Sequence, residues 1–400
     1  LTSSFDLVVP GYYYRTSDDG RYLNGSGTGN EVATERPMVR KYIKDSVRYW
    51  AEEYHVDGFR FDLMGLIDVT TMTELTEELR SQVDPNILLY GEPWDAGTNG
   101  LPSGEQTKKG SQRDLGFAVF NDHFRGAIKG DSDGEGQGFA SGATGQEEAI
   151  LRGVKGAVEE FSNGPSEVIN YVTAHDNLNL WDKFIYTQGL KDEVGFLRML
   201  DGRLVEGGSV EEAVAASDPY KFIEDGKVLD NETVKRTLLA NGIVFTSQGV
   251  PFFQAGDEFL RTKFGDHNSY KSPDAINKIR WDNKETFKPV FDYYQGLIAL
   301  RQSHPAFRMS TKQALESHLV VLRQSGNVVT YMLKDHANGD SWKNIVVIYN
   351  GNKEAQMVDL PKDGTLQVAV DHEKASTESF RSIAGGQVKV EGLSMMVLYD

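Results

Sequence analysis

The sequence predicts an α/β fold built on a parallel sheet and followed by an all-β part, and three observations carry that prediction. Strand-like runs VDGFRFD, NILLYGE, EVINYVTAHDN and PFFQAGDE are interleaved with runs of helical period such as TTMTELTEELRSQ and NETVKRTLLANGIVFTSQG. A strand, helix, strand order implies a parallel sheet. From about Phe307 onward the texture changes to short alternating runs, LVVLR, VVTYML, NIVVIYN, LQVAV, QVKVEG and SMMVLYD, divided by Gly, Asn and Asp turns, which predicts a small antiparallel sandwich. The third observation is length: 400 residues exceed one ordinary core, so a large domain over 1–305 and a satellite over 306–400 are expected.

Taken in order, residues 1–35 form a polar, glycine-rich loop that supplies turn conformations throughout. Thr34, Glu35 and Pro37 mark a helix start, and Met38, Tyr42, Ile43, Trp50 and Tyr54 recur at helical spacing up to an end near His55. The stretch from Asp114 to Phe161 is irregular with helical patches, and Leu204 to Val228 reads as an exposed insertion. Residues 284–303 form an amphipathic helix with Phe287, Phe291, Tyr294, Leu297 and Leu300 along one side.

Composition excludes several function classes. With 59 acidic against 42 basic residues the net charge is -17, which repels a phosphate backbone and an anionic membrane surface alike. The absence of cysteine excludes disulfides and thiolate metal sites. No apolar run approaches the roughly 18 residues that a membrane helix needs. The chain opens on LTSSFDLVVP, without an initiating Met or signal-peptide pattern, so native sequence is expected before Leu1. The 17 Tyr, 20 Phe and 5 Trp often stand beside Asp, Asn or Gly, where sugar rings could stack, although aromatics more commonly fill cores.

The chemistry sits where the predicted strands end: Arg60 and Asp62, Glu92, His175 and Asp176, then Asp257 and Glu258. In a (β/α)8 barrel of the TIM type, the C-terminal ends of the parallel strands floor one pocket, so residues distant in sequence would converge. A single carboxylate at a strand end often caps a helix or pairs with an arginine. An apolar strand such as NILLYG, however, gains nothing from ending on Glu92 unless that carboxylate has a task. Glycoside hydrolysis with retention needs one carboxylate to attack the anomeric carbon and one acid to protonate the leaving oxygen, about 5–5.5 Å apart. Asp62, held ionised by Arg60, suits the nucleophile. Glu92, flanked by Pro93 and Trp94, stands where loss of water favours the proton-donating form. Asp176 beside His175 could stabilise the positive transition state.

The segments GFRFDLMG, YGEPWDAG and YVTAHDNLNLWDK resemble three ordered motifs of the α-amylase family, glycoside hydrolase family 13. PGYYYRTSDDGRYLNGSGTGNEVATERPMV and GDHNSYKSPDAINKIRWD are similar to the type I pullulanases within it, and the resemblance covers essentially the whole chain. It implies Asp62 as nucleophile, Glu92 as acid/base and Asp176 as transition-state stabiliser. It further implies Arg60, His175, Trp94, Leu63, Asp274 and Asn277 as substrate contacts, and an α-glucan polysaccharide or oligosaccharide as substrate, cut at α-1,6 branch linkages. The family's strand-three motif is missing, so the resemblance implies barrel strands four to eight. A barrel does not close on five strands, so an upstream segment or a second chain is expected to complete it.

Other members of that family, an isoamylase, a neopullulanase or a branching enzyme, share the three acids, and a glucan-binding protein without catalysis would share the fold. Phosphoryl transfer on the same carboxylates is disfavoured because the sequence lacks a glycine-rich phosphate loop with lysine. The DSDGEG run at Asp131–Gly136 and the Asp18–Asp19 pair gather hard oxygens as calcium loops do, but neither fits the full twelve-residue pattern. Solvated turns are therefore expected, with no cofactor in the chemistry and any calcium purely structural. A polymeric substrate and the lack of cysteine point to a secreted or cell-surface location.

Overall fold

Four short parallel strands run side by side in the sheet on which the first candidate residues stand: β1 (Gly58–Phe61), β2 (Leu88–Gly91), β3 (Ala118–Phe120) and β4 (Val168–Asn170), in that spatial order. The computed structural model describes residues 3–361 and 364–400. They divide into two units, one running to Phe120 and resuming over Ala157–Ile169, the other made of Asn121–Gly156 with Asn170–Asp400.

In the first unit, α1 (Ser4–Val8) is a single turn capped by Ser3. The predicted long helix is α2 (Pro37–Tyr54), with Pro37 in its first turn and His55, at φ 56°, ending it in the left-handed conformation. Helix α3 (Val69–Gln82) starts where the Asp68 carboxylate accepts the Thr71 amide, and Arg40 pairs with that carboxylate at 3.1 Å. Leu75 and Leu79 of α3 pack with Leu89 and Val119 of the sheet. The remainder of 1–35 is loop, as expected, closed by bridges between Tyr14 and Val32 and between Thr16 and Tyr22.

The second unit contains α4 (Asp122–Lys129), α5 (Glu147–Val154), α6 (Leu180–Thr187), a hairpin of β5 (Met199–Leu200) and β6 (Arg203–Leu204), α7 (Val210–Ala216), α8 (Glu232–Thr246) and β7 (Val250–Pro251). After these come α9 (Asp274–Asn277), α10 (Asn283–Thr286), α11 (Lys288–Ser303) and α12 (Lys312–His318). Eight strands follow: β8 (Leu319–Ser325), β9 (Val328–Leu333), β10 (Ile345–Asn350), β11 (Gln356–Asp359), β12 (Thr365–Val370), β13 (Arg381–Ala384), β14 (Gln387–Val390) and β15 (Ser394–Tyr399). Six of them form an antiparallel sheet in the order β13-β12-β15-β10-β9-β8, and β11 pairs with β14. Between these layers lies an apolar core that includes Val328, Ile348, Val358, Val388 and Leu398. The architecture is a half-barrel parallel sheet plus an all-β domain.

Four expectations need correction. The irregular stretch 114–161 hides β3, whose three residues are all buried and too few to show a period. PFFQAGDE is not one strand: pairing stops at Pro251, and Asp257 and Glu258 lie in a 3-10 turn instead of at a strand end. The third predicted strand stops at Asn170, so His175 and Asp176 lie in the turn beyond it. The helix over 284–303 is two helices broken at Phe287, because Pro289 lacks the amide a continuous helix would need there. The Leu204–Val228 insertion is mostly exposed, as expected, and is anchored at Val210, which packs with Leu197, Phe264 and Ile276.

Candidate active site

Two strand ends in the first unit build a carboxylate pair. Gly58 to Phe61 pair in register with Leu88 to Gly91, so the residues that follow, Asp62 and Glu92, leave the sheet side by side. An oxygen of Asp62 and an oxygen of Glu92 lie within 4.8 Å of each other. Arg60 serves both: Nη2 donates to Glu92 Oε1 at 2.8 Å, and Nε stands 3.1 Å from Asp62 Oδ1. The Arg60 guanidinium lies over the Phe120 ring at 4.9 Å, so an aromatic at the end of β3 backs the arginine. The two acids differ in setting. The Asp62 side chain is 69% exposed and that of Glu92 only 9%.

Leu63 has φ 44°, an uncommon left-handed conformation for a β-branchless but bulky residue, and its amide donates to Glu92 Oε2 at 2.8 Å. Both oxygens of Glu92 are thus occupied, one by Arg60 and one by Leu63. Burial of Glu92 agrees with the loss of water expected from Pro93 and Trp94. The Gly65 amide is shared between the carbonyls of Glu92 at 3.2 Å and Trp94 at 3.1 Å, which ties the Glu92–Trp94 segment to the turn after β1. Trp94 is half-buried, its ring 6.4 Å from that of Phe120.

In the second unit His175 and Asp176 are both exposed, with His175 Nε2 3.6 Å from Asp176 Oδ1. The turn that carries them is fixed by its backbone: Lys263 Nζ donates to the His175 carbonyl at 2.9 Å, and Asn179 caps α6 by accepting the Asp182 amide at 3.1 Å. Asp274 is exposed in the first turn of α9. Asn277 is committed to its own loop, donating from Nδ2 to the Ser269 and Ser272 carbonyls at 2.7 and 2.9 Å, so only its Oδ1 is left to meet a sugar. Asp257 is buried, which pushes its carboxyl up to about 6, offset by hydrogen bonds from Thr173 and Asn241.

The candidate metal loops are occupied by the chain's own cations. Asp19 accepts from Ser17 Oγ at 2.5 Å and Arg21 Nε at 2.7 Å, and the Asp131–Gly136 run folds around Lys183. Sequence reading missed Phe120, Lys183 and Lys263. Phe120 ends an apolar FAVF run too short to show a period, and the two lysines carry no local signal.

A parallel half-barrel whose neighbouring strands end on an arginine-bridged carboxylate pair, continued by an antiparallel β domain, is the architecture of the barrel glycoside hydrolases. The family model described as "Pullulanase, all-beta domain" matches residues 315–374. Over its whole length the chain is a homologue of pullulanases. It is 35% identical to the Pullulanase of Bacillus subtilis (strain 168) over 99% of this chain and 51% of that protein. The solved pullulanase from Bacillus acidopullulyticus superposes with a TM-score of 0.87 at 42% identity, covering 100% of this chain and 45% of that one. A pullulanase from Anoxybacillus sp. LM18-11, solved complexed with maltotriose, gives a TM-score of 0.83 at 34% identity over 100% of this chain and 50% of that one. The chain spans about half the length of these relatives.

Proposed function

We propose that the protein acts as a retaining glycoside hydrolase that cleaves α-1,6-glucosidic branch linkages in pullulan, glycogen or amylopectin by double displacement. The observation that carries this reading is the separation of Asp62 and Glu92, whose nearest oxygens lie within 4.8 Å. Retention calls for about 5–5.5 Å between the carboxyl groups, whereas inversion needs about 6.5–9.5 Å to admit a water. Exposed Asp62 attacks the anomeric carbon and forms the glycosyl-enzyme. Buried Glu92 protonates the leaving oxygen, then takes a proton from the water that releases the sugar. Asp176 is assigned the third role, facing the positive charge of the transition state, with Arg60, Leu63, Trp94, His175, Asp274 and Asn277 as sugar contacts.

The maltotriose held by the Anoxybacillus relative supports a maltooligosaccharide ligand, and the reaction needs no metal. We also propose that further barrel strands, the family's first to third, come from an upstream segment or a second chain. Two features support this: among the described residues β1 pairs with β2 alone, and α2 exposes Tyr42, Tyr49, Trp50 and Tyr54. A location outside the cell suits a polymer of this size. Digestion of pullulan tests the linkage: maltotriose is expected, released as the α-anomer by NMR, whereas panose would reassign the protein to α-1,4 cleavage.

A further inference from the structure

The acidic glycine run Asp131–Gly136 forms a strap along α6. Its oxygens converge on a cation within the chain, since Lys183 Nζ donates to the Asp131 carboxylate and to the carbonyls of Gly134 at 2.7 Å and Gly136 at 2.8 Å. The Lys183 side chain is fully buried, so these oxygens replace its water. Two more ties run to the same helix and the turn after it: Glu135 pairs with Lys191 at 2.6 Å, and Gln137 Nε2 donates to the Thr187 carbonyl at 3.2 Å.

Fixing the strap fixes Asp133 in its middle. Asp133 Oδ2 accepts from Asn177 Nδ2 at 2.6 Å, and Oδ1 accepts from the Leu178 amide at 3.0 Å. These are the two residues directly after Asp176. Asn177 sits at φ 68°, a left-handed conformation that Asn adopts more readily than most side chains. With Lys263 on the His175 carbonyl at 2.9 Å, the His175–Asp176 pair is bracketed on both sides while its own side chains remain exposed.

We propose that Asp133 is a positioning residue for Asp176, holding the backbone after it so that its carboxylate keeps one direction. The proposal rests on the reading of Asp176 as transition-state stabiliser. A carboxylate that meets developing positive charge works by where it stands, and a displacement of about 1 Å costs roughly 100-fold in rate. Releasing Asn177 and Leu178 gives Asp176 that freedom without touching the substrate.

The test uses the intact polypeptide that carries these residues. Asp133→Ala is expected to lower kcat on pullulan about 50- to 100-fold with KM within about 3-fold, the pattern of a contact that matters only in the transition state. Asp133→Asn should recover most of that loss, because its Oδ1 still accepts the Leu178 amide and the Asn177 amide can turn to match. In an Asp176→Asn background, Asp133→Ala should add less than about 3-fold, since both changes act through one carboxylate. Unchanged kcat in Asp133→Ala, or its full loss repeated on top of Asp176→Asn, overturns the proposal. Near-normal activity of Asp176→Asn alone overturns instead the reading of Asp176, which keeps the two failures apart.

Discussion

Arg60 bonds Glu92 and only faces Asp62. Its Nη2 donates to Glu92 Oε1 at 2.8 Å, whereas its Nε, 3.1 Å from Asp62 Oδ1, is not aligned for a hydrogen bond. The Asp62 carboxylate is therefore ion-paired while its lone pairs stay free, which is what an attacking carboxylate requires.

Arg60→Lys should consequently cost turnover more than folding. A lysine ammonium cannot serve both acids from one plane, and it gives up the flat contact with Phe120. We expect kcat on pullulan to fall about 100-fold or more, while the partly exposed site limits the loss of stability to about 1–2 kcal/mol. Steady-state kinetics and urea unfolding measured together check this; unchanged kcat would remove Arg60 from the site.

Gly65→Ala should damage the same centre through the backbone. A Cβ there would stand 2.6 Å from the Trp94 carbonyl oxygen, and the amide it shares with Glu92 and Trp94 would have to move. Overpacking of this kind costs about 1–3 kcal/mol, and the displaced Glu92 adds a loss of activity. The unfolding midpoint and kcat should fall together, whereas a wild-type midpoint would show that the approach is not tight.

The strands and helices that could be read were those with a full period to display. α2 and α3 span several turns and begin on Pro37 and Asp68, so their starts carry a chemical mark. β3 offers three buried residues and no alternation, which is why Phe120, the aromatic beneath Arg60, escaped notice. β11 and β13 were missed because each is only four residues long and half or more of each is exposed, like a turn. Asp62 and Glu92 were legible because each follows an apolar run directly. Lys183 was not, because a buried lysine is recognised only by the carbonyls that surround it, and these come from residues 134 and 136.

Arg301 should prove the costliest buried cation to replace in the second unit. Nη1 donates to the carbonyls of Phe245 and Ser247 at 2.9 and 2.6 Å, and Nη2 to that of Gly249 at 2.5 Å, so one side chain satisfies the end of α8 and the turn into β7. Burial pushes its pKa down to about 10, which leaves it charged at neutral pH. Arg301→Met keeps the volume but strands three carbonyls, at a cost of about 3–5 kcal/mol. Denaturant unfolding checks the figure, and a loss below about 1 kcal/mol would mean that water reaches these oxygens.

Asp182 should give stability a pH dependence of unusual sign. Burial raises its carboxyl to about 6, although Thr262 Oγ1 and the amides of Gly265 and Lys263 donate to it. Below its ordinary value near 3.8, the folded and unfolded chains both hold the proton, so no penalty exists. Between there and about 6 only the unfolded chain has released it, so stability falls as pH rises; above about 6 both are ionised and the penalty stays constant. The difference amounts to on the order of 3 kcal/mol. Asn is isosteric, can accept from both amides and can donate to the Thr262 hydroxyl, so Asp182→Asn should gain on the wild type by that amount between pH 4 and pH 7. Urea unfolding of both proteins at the two pH values isolates this group, because every other titration cancels in the difference. Parallel stabilities would mean that Asp182 is already ionised in the folded chain throughout.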